Sequence, residues 1–390
     1  MWKHIAANAM TFLIVLLFLA GGVIAWGNTS YTSAGPLEQP ICLQVRPGSN
    51  MRIVSEDLAD QGAVTYPSVF RIGVDYAGQA SQLKAGSFLV PEGASMEEIA
   101  DIITRGGAST CGTEIVYRVG VTRTLAEVRE LDPVSGRFIE LAEFNPAEDE
   151  VPATYTETRA QSDTQYRVVI SEGVTSWQVV QALNALEFME GEVSEIPPEG
   201  MLAPNSYQVQ AGDSVAELLV DMQDAQAEIL ATAWAQRAEG LPLESPEEAL
   251  ILASIIEKEA STSDERFDVA SVFINRLNQG MRLQTDPTVI YGVTEGRGGL
   301  GRGLRQSELR EATPWNTYVI EGLPPTPIAN PGAATIEAAL NPSDTDFIFF
   351  VAKSLNPADG HNFAVTLDEH NRNVALYREL EAARDAAADN

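Results

Sequence analysis

The chain has 390 residues, of which 45% are hydrophobic, so it is long enough to bury more than one core. Its length predicts roughly two or three domains. The formal net charge of -30 at pH 7 repels phosphate backbones, which argues against nucleic-acid binding, and it also disfavours flat docking on anionic lipid.

The N-terminal segment predicts a transmembrane helix over residues 5–26, after a short end of residues 1–4. The run from Ile5 to Trp26 is almost free of charge, and roughly 22 residues suffice to cross a bilayer as a helix. A cleavable signal peptide is the alternative, but its apolar core is shorter and ends at a small-residue cleavage site. Because Lys3 is the only full positive charge at either flank, the positive-inside rule predicts a cytoplasmic N-terminus. We therefore expect a single-pass protein of the inner (cytoplasmic) membrane, with everything after Trp26 in the periplasm.

The two cysteines of the chain are Cys42 and Cys111. In an oxidising compartment such a pair is a candidate disulfide, which here would connect the two ends of one module. Two unpaired thiols are the alternative. Neither cysteine belongs to a metal-ligand or nucleophile pattern, and we expect no metal and no cofactor.

A pattern recurs in the first half of the chain. A β-rich stretch leads to a Gly turn, then to a Ser, Thr or Asn N-cap and an amphipathic helix. We therefore expect modules over residues 41–112 and 164–244, with strand–helix–helix–strand character. These segments resemble LysM-like modules, which bind chains of N-acetylhexosamine. A structural repeat that only positions the next domain is the alternative.

Two further segments separate these modules from their neighbours. Residues 27–40 are rich in Gly, Ser, Thr and Pro and predict a linker. Residues 113–163 predict an acidic, degenerate module, whose last part from Asn145 to Asp163 has the composition of a flexible link.

The second half predicts a catalytic domain over residues 245–376 and a polar tail over residues 377–390. A helix is expected to start where Ser245 is the N-cap and Glu248 completes a capping box. A second helix is expected over about residues 266–278. The fold class predicted for the whole chain is α+β: a transmembrane helix, LysM-like α/β modules, and a mixed α+β catalytic domain.

Glu257 on the first of these helices is the candidate catalytic residue. The helix is apolar nearly all round, which is typical of a helix buried on most sides. A carboxyl at the edge of such a helix is desolvated and is expected to keep its proton near neutrality, as a general acid requires. Glu259 lies about 200° further round the helix, so it cannot share a pocket with Glu257, and we expect it to pair with an arginine. The alternative is that Glu257 is an ordinary surface acid beside Lys258.

Polar and aromatic groups follow this helix in several loops. Amides and hydroxyls can bind the hydroxyls and acetamides of sugars, and prolines hold such groups at low entropic cost. Each cluster alone is a weak signal, but together they predict a glycan-binding site near Glu257. The candidate substrate-binding residues are Gln284, Thr285, Asp286, Tyr291, Asn316, Thr317, Tyr318, Asn330 and His361.

Several blocks of the second half resemble the endolytic murein transglycosylases of the MltG/YceG-like family. They are ILASIIEKEA, VFINRLNQGMRLQTDPTVIYG, TPWNTY, GLPPTPIANPG and HNFAVT. The resemblance implies that Glu257 is the catalytic acid and that the chain cleaves the β-1,4 bond between N-acetylmuramic acid and N-acetylglucosamine in nascent glycan, with a 1,6-anhydro end as the product. It also implies peptidoglycan strands as substrate and peptidoglycan synthases as partners.

Two other functions remain open at this point. The first is a lysozyme-like muramidase, a hydrolase that would use Glu257 with Asp286 as its second carboxylate. The second is a non-catalytic scaffold that binds peptidoglycan.

Overall fold

The computed structural model describes residues 2–105, 109–161 and 163–388. The chain forms two compact units. The first comprises the chain up to Val116 with residues 126–144 and 148–166, and the second comprises residues 117–125, 145–147 and those from Arg167 onwards. Lys3, on which the predicted orientation in the membrane rests, lies outside the residues whose side chains are described.

The chain contains both helices and strands, with three strands in succession in its first half and five α-helices in succession in its second, which confirms the predicted α+β class. One five-stranded sheet has the order β5-β4-β3-β6-β7. The elements are α1 (Trp2–Thr32), β1 (Ile41–Val45), α2 (Met51–Asp60), α3 (Pro67–Tyr76), β2 (Gly86–Val90), α4 (Met96–Thr104), β3 (Thr113–Val119), β4 (Thr124–Asp132), β5 (Arg137–Phe144), α5 (Ala153–Arg159), β6 (Gln165–Ile170), α6 (Ser176–Asn184), β7 (Ser206–Val209), α7 (Val215–Ala235), α8 (Pro246–Glu259), α9 (Arg266–Asn278), α10 (Asp286–Thr294), α11 (Ala333–Leu340), β8 (Phe349–Ala352), β9 (His361–Ala364) and α12 (Leu367–Ala388).

The N-terminal helix α1 is longer than predicted. Among the described residues, Asn8–Thr32 is a helix long and apolar enough to cross a membrane, with a window of mean hydropathy 2.4. It continues past Trp26, so the start of the predicted linker 27–40 is helical. Two threonine hydroxyls bond back to carbonyls four residues earlier, including Thr32 Oγ1 to Asn28 O at 3.0 Å, which satisfies polar groups within the helix.

The predicted first module contains the expected strand–helix–helix–strand order, β1-α2-α3-β2. The two strands pair antiparallel from Ile41 opposite Val90 to Val45 opposite Gly86. They enclose an apolar core with α2, α3 and α4, in which Leu43, Leu58 and Phe70 are fully buried. Cys42 and Cys111 form a disulfide, with 5.7 Å between their Cα atoms, so the pair is bridged rather than free.

The segment predicted as a degenerate module is instead a run of three strands, β3, β4 and β5. No helix separates β3 from β4, because the tight turn at Gly120, whose N–H donates to Arg123 O at 3.0 Å, reverses the chain at once. Strands β4 and β5 pair antiparallel, with a register shift between Val128 and Arg129. The predicted flexible link also contains the helix α5.

In the second unit, the predicted second module differs from the first in having one helix between its strands. Helix α6 follows β6, but no second helix precedes β7, because this stretch carries Pro197, Pro198 and Pro204, which interrupt helices. The strand–helix–helix–strand expectation was therefore wrong for this segment.

Helices α8 and α9 form the centre of the second unit and begin or end close to the predicted residues. Ser245 caps α8 by accepting the N–H of Glu248 at 3.3 Å. The predicted capping box is shifted by one residue, since Glu248 accepts the N–H of Glu244 at 2.6 Å rather than that of Ser245. Residues 249–256 are all buried, so α8 is a core helix whose last turn brings Glu257 to the edge of the core.

Candidate active site

Glu257 lies in the last turn of α8, where the buried run of the helix ends. Its side chain is half-buried, and its Oε2 accepts the backbone N–H of Gly332 at 3.0 Å. Gly332 is the N-cap of α11, so this carboxyl faces the end of a helix that favours negative charge. The contact fixes one oxygen of Glu257 in place.

The loop that carries Gly332 is held by a buried asparagine. Asn330 is fully buried, and its Nδ2 donates to Val174 O at 2.9 Å while its Oδ1 accepts the N–H of Leu202 at 2.9 Å. Its backbone N–H also donates to Val174 O, and its carbonyl accepts the N–H of Gly173, each at 2.9 Å. Predicted to bind substrate, Asn330 is instead occupied by protein partners and ties this loop to the turn before α6.

That turn places a second carboxylate beside Glu257. Glu172 forms an ion pair with Arg266 at 2.8 Å, and its Oε1 would lie 1.8 Å from a Cβ at position 332. It therefore occupies the space next to the residue whose N–H binds Glu257. Burial, followed by the charge of Glu257, raises the pKa of Glu172, and Arg266 lowers it. Sequence reasoning missed Glu172, although the repeated Glu-Gly turn, Glu92-Gly93 and Glu172-Gly173, was visible.

Lys258, the residue after Glu257, is half-buried and interacts with a third glutamate, Glu199. Lys258 Nζ donates to Gly173 O at 3.2 Å, and burial lowers the pKa of Lys258 against the opposing effect of Glu257 and Glu199. Glu199 accepts the N–H of Ser176 at 2.8 Å and the hydroxyl of Tyr291 at 3.3 Å. Burial raises the pKa of Glu199, so this acid holds its proton more readily than an exposed one. Tyr291 thus holds Glu199 in place through this hydrogen bond.

Glu259 points to different partners from Glu257, in keeping with the rotation of the helix. Its carboxylate accepts the hydroxyl of Thr285. Burial raises the pKa of Glu259 to about 7, with Asp286 adding to the rise and Arg276 opposing it. The arginine partner expected from the sequence acts only through its charge, because Arg276 donates its hydrogen bonds to the carbonyls of Ile348 and Leu283.

Asp286 lies near enough to Glu259 for its charge to raise the pKa of that carboxyl. Its Oδ1 accepts the hydroxyl of Tyr318 at 2.7 Å. Burial and then Asp286 raise the pKa of Tyr318. The role of Asp286 as a second carboxylate for Glu257 stays a prediction.

Three of the other predicted residues have protein partners inside the loops. Thr317 is fully buried and its Oγ1 accepts the N–H of Thr285, itself buried, at 3.1 Å. Asn316 is also fully buried, and its Nδ2 donates to the carbonyls of Glu308 and Glu311 at 3.0 and 2.7 Å. These side chains position the loops around α10.

Gln284 and His361 complete the predicted set. Gln284 is exposed and has a φ of 49°, which is costly for a residue with a side chain and is often found at functional sites. His361 Nδ1 lies 2.9 Å from Glu265 Oε1, in the loop that follows α8. Sugar binding stays a prediction for Gln284, Asp286, Tyr291, Tyr318 and His361, which keep some exposed surface.

Comparison with known proteins shows which family this chain is similar to. The model of the YceG-like family matches residues 150–376. An endolytic murein transglycosylase of Bacillus subtilis is 25% identical over 363 residues, which cover 92% of this chain and 91% of that protein. A protein of the same name from Streptococcus pneumoniae serotype 2 is 25% identical over 384 residues, which cover 96% of this chain but 65% of the pneumococcal protein. A crystal structure of a YceG-like protein from Listeria monocytogenes is 25% identical, with a TM-score of 0.43, covering 86% of this chain and 99% of that one.

Proposed function

We propose, since the chain belongs to the YceG-like family, that it is an endolytic lytic transglycosylase of peptidoglycan. It cleaves the β-1,4 bond between N-acetylmuramic acid and N-acetylglucosamine in nascent strands and leaves a 1,6-anhydro end. The names of the Bacillus and Streptococcus relatives support this activity.

The observation that carries the proposal is the placement of Glu257. The carboxyl stands at the end of a buried apolar helix, half-buried, with one oxygen bound to the N–H of Gly332. A partly desolvated, oriented carboxyl is suited to proton transfer. Glu257 protonates the leaving oxygen and, as a carboxylate, then accepts the proton of the muramic C6 hydroxyl as that oxygen attacks the anomeric carbon. Because this nucleophile belongs to the substrate, the reaction needs no water and no covalent glycosyl-enzyme intermediate.

Further parts of the chain fit a glycan substrate. The exposed Gln284 and the Asp286–Tyr318 pair offer amide, carboxylate and hydroxyl groups near the end of α8. Residues 41–112, whose strands and helices follow the strand–helix–helix–strand order, act as a LysM-like module that binds the same glycan. The catalytic domain spans residues 245–376.

The apolar helix at the N-terminus supports a position in the membrane. Helix α1 spans the inner membrane once, with residues 1–4 in the cytoplasm and the catalytic domain in the periplasm. From there the enzyme reaches strands as synthases extend them, so peptidoglycan synthases are its expected partners.

A muramidase hydrolase is the second candidate, favoured by Glu172 next to Glu257. Hydrolytic glycosidases use two carboxylates, and the neighbourhood of Gly332 contains two. The products separate the candidates, because a hydrolase leaves a reducing muramic end where a lytic transglycosylase leaves an anhydro end.

The test is Glu257→Gln in the full chain, with Glu321→Gln as control because Glu321 is an exposed glutamate of the same unit. Purified glycan strands are incubated with each protein, and the fragments are analysed by mass spectrometry. We expect anhydro-ended fragments from wild type and control, and a fall of at least about 100-fold for Glu257→Gln with an unchanged circular dichroism spectrum. Turnover by Glu257→Gln at the wild-type rate would exclude Glu257 as the catalyst. No cleavage by any of the proteins would favour a peptidoglycan-binding scaffold.

A further inference from the structure

The loop that follows helix α10, residues 296–310, is basic in an otherwise acidic chain. This arginine loop contains four arginines and one glutamate, whereas the whole chain has 25 basic and 55 acidic residues. No other part of the sequence has four arginines within 15 residues. The substrate of the proposed reaction is itself an anion, because the stem peptides on its muramic acid carry carboxylates. Since two anions repel one another, an acidic protein needs a local positive surface to bind such a strand.

The arginine loop begins beside the turn that packs on Glu257. Gly296 is buried with a φ of +71°, its carbonyl accepts the hydroxyl of Thr175 at 2.6 Å, and a Cβ at this position would lie 3.2 Å from Glu199 Oε2. Gly173, two residues before Thr175, is close to the candidate catalytic residue, since a Cβ there would lie 3.7 Å from Glu257 Cγ. Thr175 therefore fixes the start of the arginine loop at the edge of the candidate active site.

The other end of the arginine loop is anchored to the protein interior. The buried Asn316 donates to the carbonyls of Glu308 and Glu311 at 3.0 and 2.7 Å. Between the two anchors, the three leucines of the loop, at positions 300, 304 and 309, are half-buried. Because both ends are bound and the apolar side chains are partly covered, the arginines occupy a defined surface rather than a free segment.

The single acid of the loop is bound within the loop itself. Arg302 Nη1 donates to Glu308 Oε2 at 2.9 Å, and the backbone N–H of Arg305 donates to the same oxygen at 2.7 Å. The side chain of Glu308 is only 12% exposed. This ion pair compensates the charge of Arg302 and fixes the backbone at Arg305, whose side chain is exposed.

Two of the arginines have no acidic partner among the residues that the structure describes. No carboxylate there lies within 4 Å of the guanidinium of Arg305 or of Arg310, and Arg310 donates only to an amide, Gln306 Oε1, at 3.3 Å. A guanidinium binds a carboxylate through two parallel N–H donors. Arg305 and Arg310 can therefore each bind a carboxylate of a ligand without breaking an ion pair of the protein.

We propose that the arginine loop binds carboxylates of the stem peptides, and that Arg305 and Arg310 thereby select strands that carry peptides over strands that lack them. This inference rests on the proposed function. An anionic lipid surface is a less suitable occupant, because segments that bind membranes combine basic residues with exposed apolar or aromatic side chains. The arginine loop has no aromatic residue, and its leucines are half-buried.

The experiment first measures binding apart from catalysis. The full chain carrying Glu257→Gln, in a neutral detergent, is titrated against fluorescent glycan strands of one length, either with their stem peptides or after an amidase has removed them. Strands without peptides keep the lactyl carboxylate of muramic acid, so they show whether the loop binds that group instead. The tested change is the double substitution Arg305→Gln, Arg310→Gln. Arg305→Lys with Arg310→Lys keeps the charge, and Arg378→Gln is the control, because Arg378 is an exposed arginine of helix α12.

We expect the double Gln variant to raise the Kd for peptide-bearing strands about three- to tenfold, as the loss of two exposed ion pairs would. The Kd for strands without peptides should stay within about twofold. The double Lys variant should recover most of the affinity, and Arg378→Gln should match the unchanged loop. Raising KCl from about 50 to about 300 mM should weaken binding of peptide-bearing strands more for the unchanged loop than for the double Gln variant.

Turnover is then measured with the same loop substitutions in the chain that keeps Glu257. On peptide-bearing strands, the double Gln variant should raise KM about three- to tenfold and leave kcat within about twofold, because the arginines bind the substrate without taking part in proton transfer. A fall of kcat with KM unchanged would contradict a role in selecting the substrate.

Three binding results overturn the inference while the proposed function stands. The first is an equal Kd of the unchanged loop and the double Gln variant for peptide-bearing strands. The second is an equal rise of Kd for both kinds of strand, which would assign the arginines to the lactyl carboxylate or to the sugar chain. The third is a loss of binding to anionic lipid vesicles with strand affinity unchanged. If the chain with Glu257 releases no anhydro-ended fragments while the predicted difference in Kd is seen, the proposed function fails and the peptide selection by the loop stands.

Discussion

Glu259 predicts a dependence of stability on pH that can be tested without substrate. Burial raises the pKa of its carboxyl from an ordinary 4.5 to about 7 in the folded chain, where it accepts the hydroxyl of Thr285. In the unfolded chain the same carboxyl titrates near its ordinary value. Between these two values the folded state binds more protons than the unfolded state, so the free energy of unfolding falls as pH rises through that window.

The size of the change in the free energy of unfolding follows from the shift in the pKa of Glu259. Each unit of pKa difference corresponds to about 1.4 kcal/mol, so this group lowers the free energy of unfolding by at most about 3.5 kcal/mol between pH 4.5 and pH 7. Glu259 keeps part of its surface exposed, which makes this figure an upper bound. Below about pH 4.5 the proton is bound in both states, and the contribution is constant.

Glu259→Gln removes the titration and keeps an oxygen that can accept the hydrogen bond of Thr285. Urea unfolding of wild type and Glu259→Gln, followed by tryptophan fluorescence at steps from about pH 4.5 to pH 8.5, gives the difference in free energy at each pH. We expect Glu259→Gln to gain stability relative to wild type as pH rises, by up to about 3.5 kcal/mol. The exposed control Glu321→Gln should show no such trend. Parallel curves for wild type and Glu259→Gln would refute the buried carboxyl as the cause.

Two further predictions concern stability. Asn330→Ala leaves the buried N–H of Leu202 without its acceptor and removes a donor from Val174 O. We therefore expect the free energy of unfolding to fall by about 2–4 kcal/mol, measured as a lower urea midpoint. An unchanged midpoint would show that the loop repacks. The disulfide joins cysteines 69 residues apart, so reduction should lower the stability of the first unit by about 2–4 kcal/mol. Thermal unfolding with and without reductant checks this, with the Cys42→Ser, Cys111→Ser double variant expected to be insensitive to the reductant.

The features predicted well from the sequence have local causes. Helix α9 occupies the predicted residues, because its limits depend on an apolar pattern that a glycine ends. Helix α8 starts at Ser245 because capping depends on residues within one turn. The individual hydrogen bonds are predicted less well, since Glu248 accepts the N–H of Glu244 rather than that of Ser245. Turn chemistry is harder to predict: residues 113–163, predicted as a degenerate module and link, contain the meander of β3, β4 and β5.

The surroundings of Glu257 could not be predicted in the same way. Glu172 and Arg266 are 94 residues apart, and Glu257 is 75 residues from Gly332, so no spacing along the chain shows that they meet. The candidate substrate-binding residues in the loops are predicted from their residue type alone. Burial then separates those that hold the backbone, such as Asn316 and Asn330, from those that face solvent, and burial depends on the complete fold.

The continuity of α1 has a mechanical consequence. The helix runs unbroken to Thr32, and Trp26 packs edge-on against Tyr66 with 5.2 Å between ring centroids. The ring of Tyr31 fills the space beside Gly73, where a Cβ would lie 2.2 Å away. In a bilayer, such a connection would be rigid, because the helix continues into the first unit without a flexible linker. The first unit would tilt and rotate only as the helix does, and its height above the lipid would be set by the helix rather than by the reach of a flexible linker.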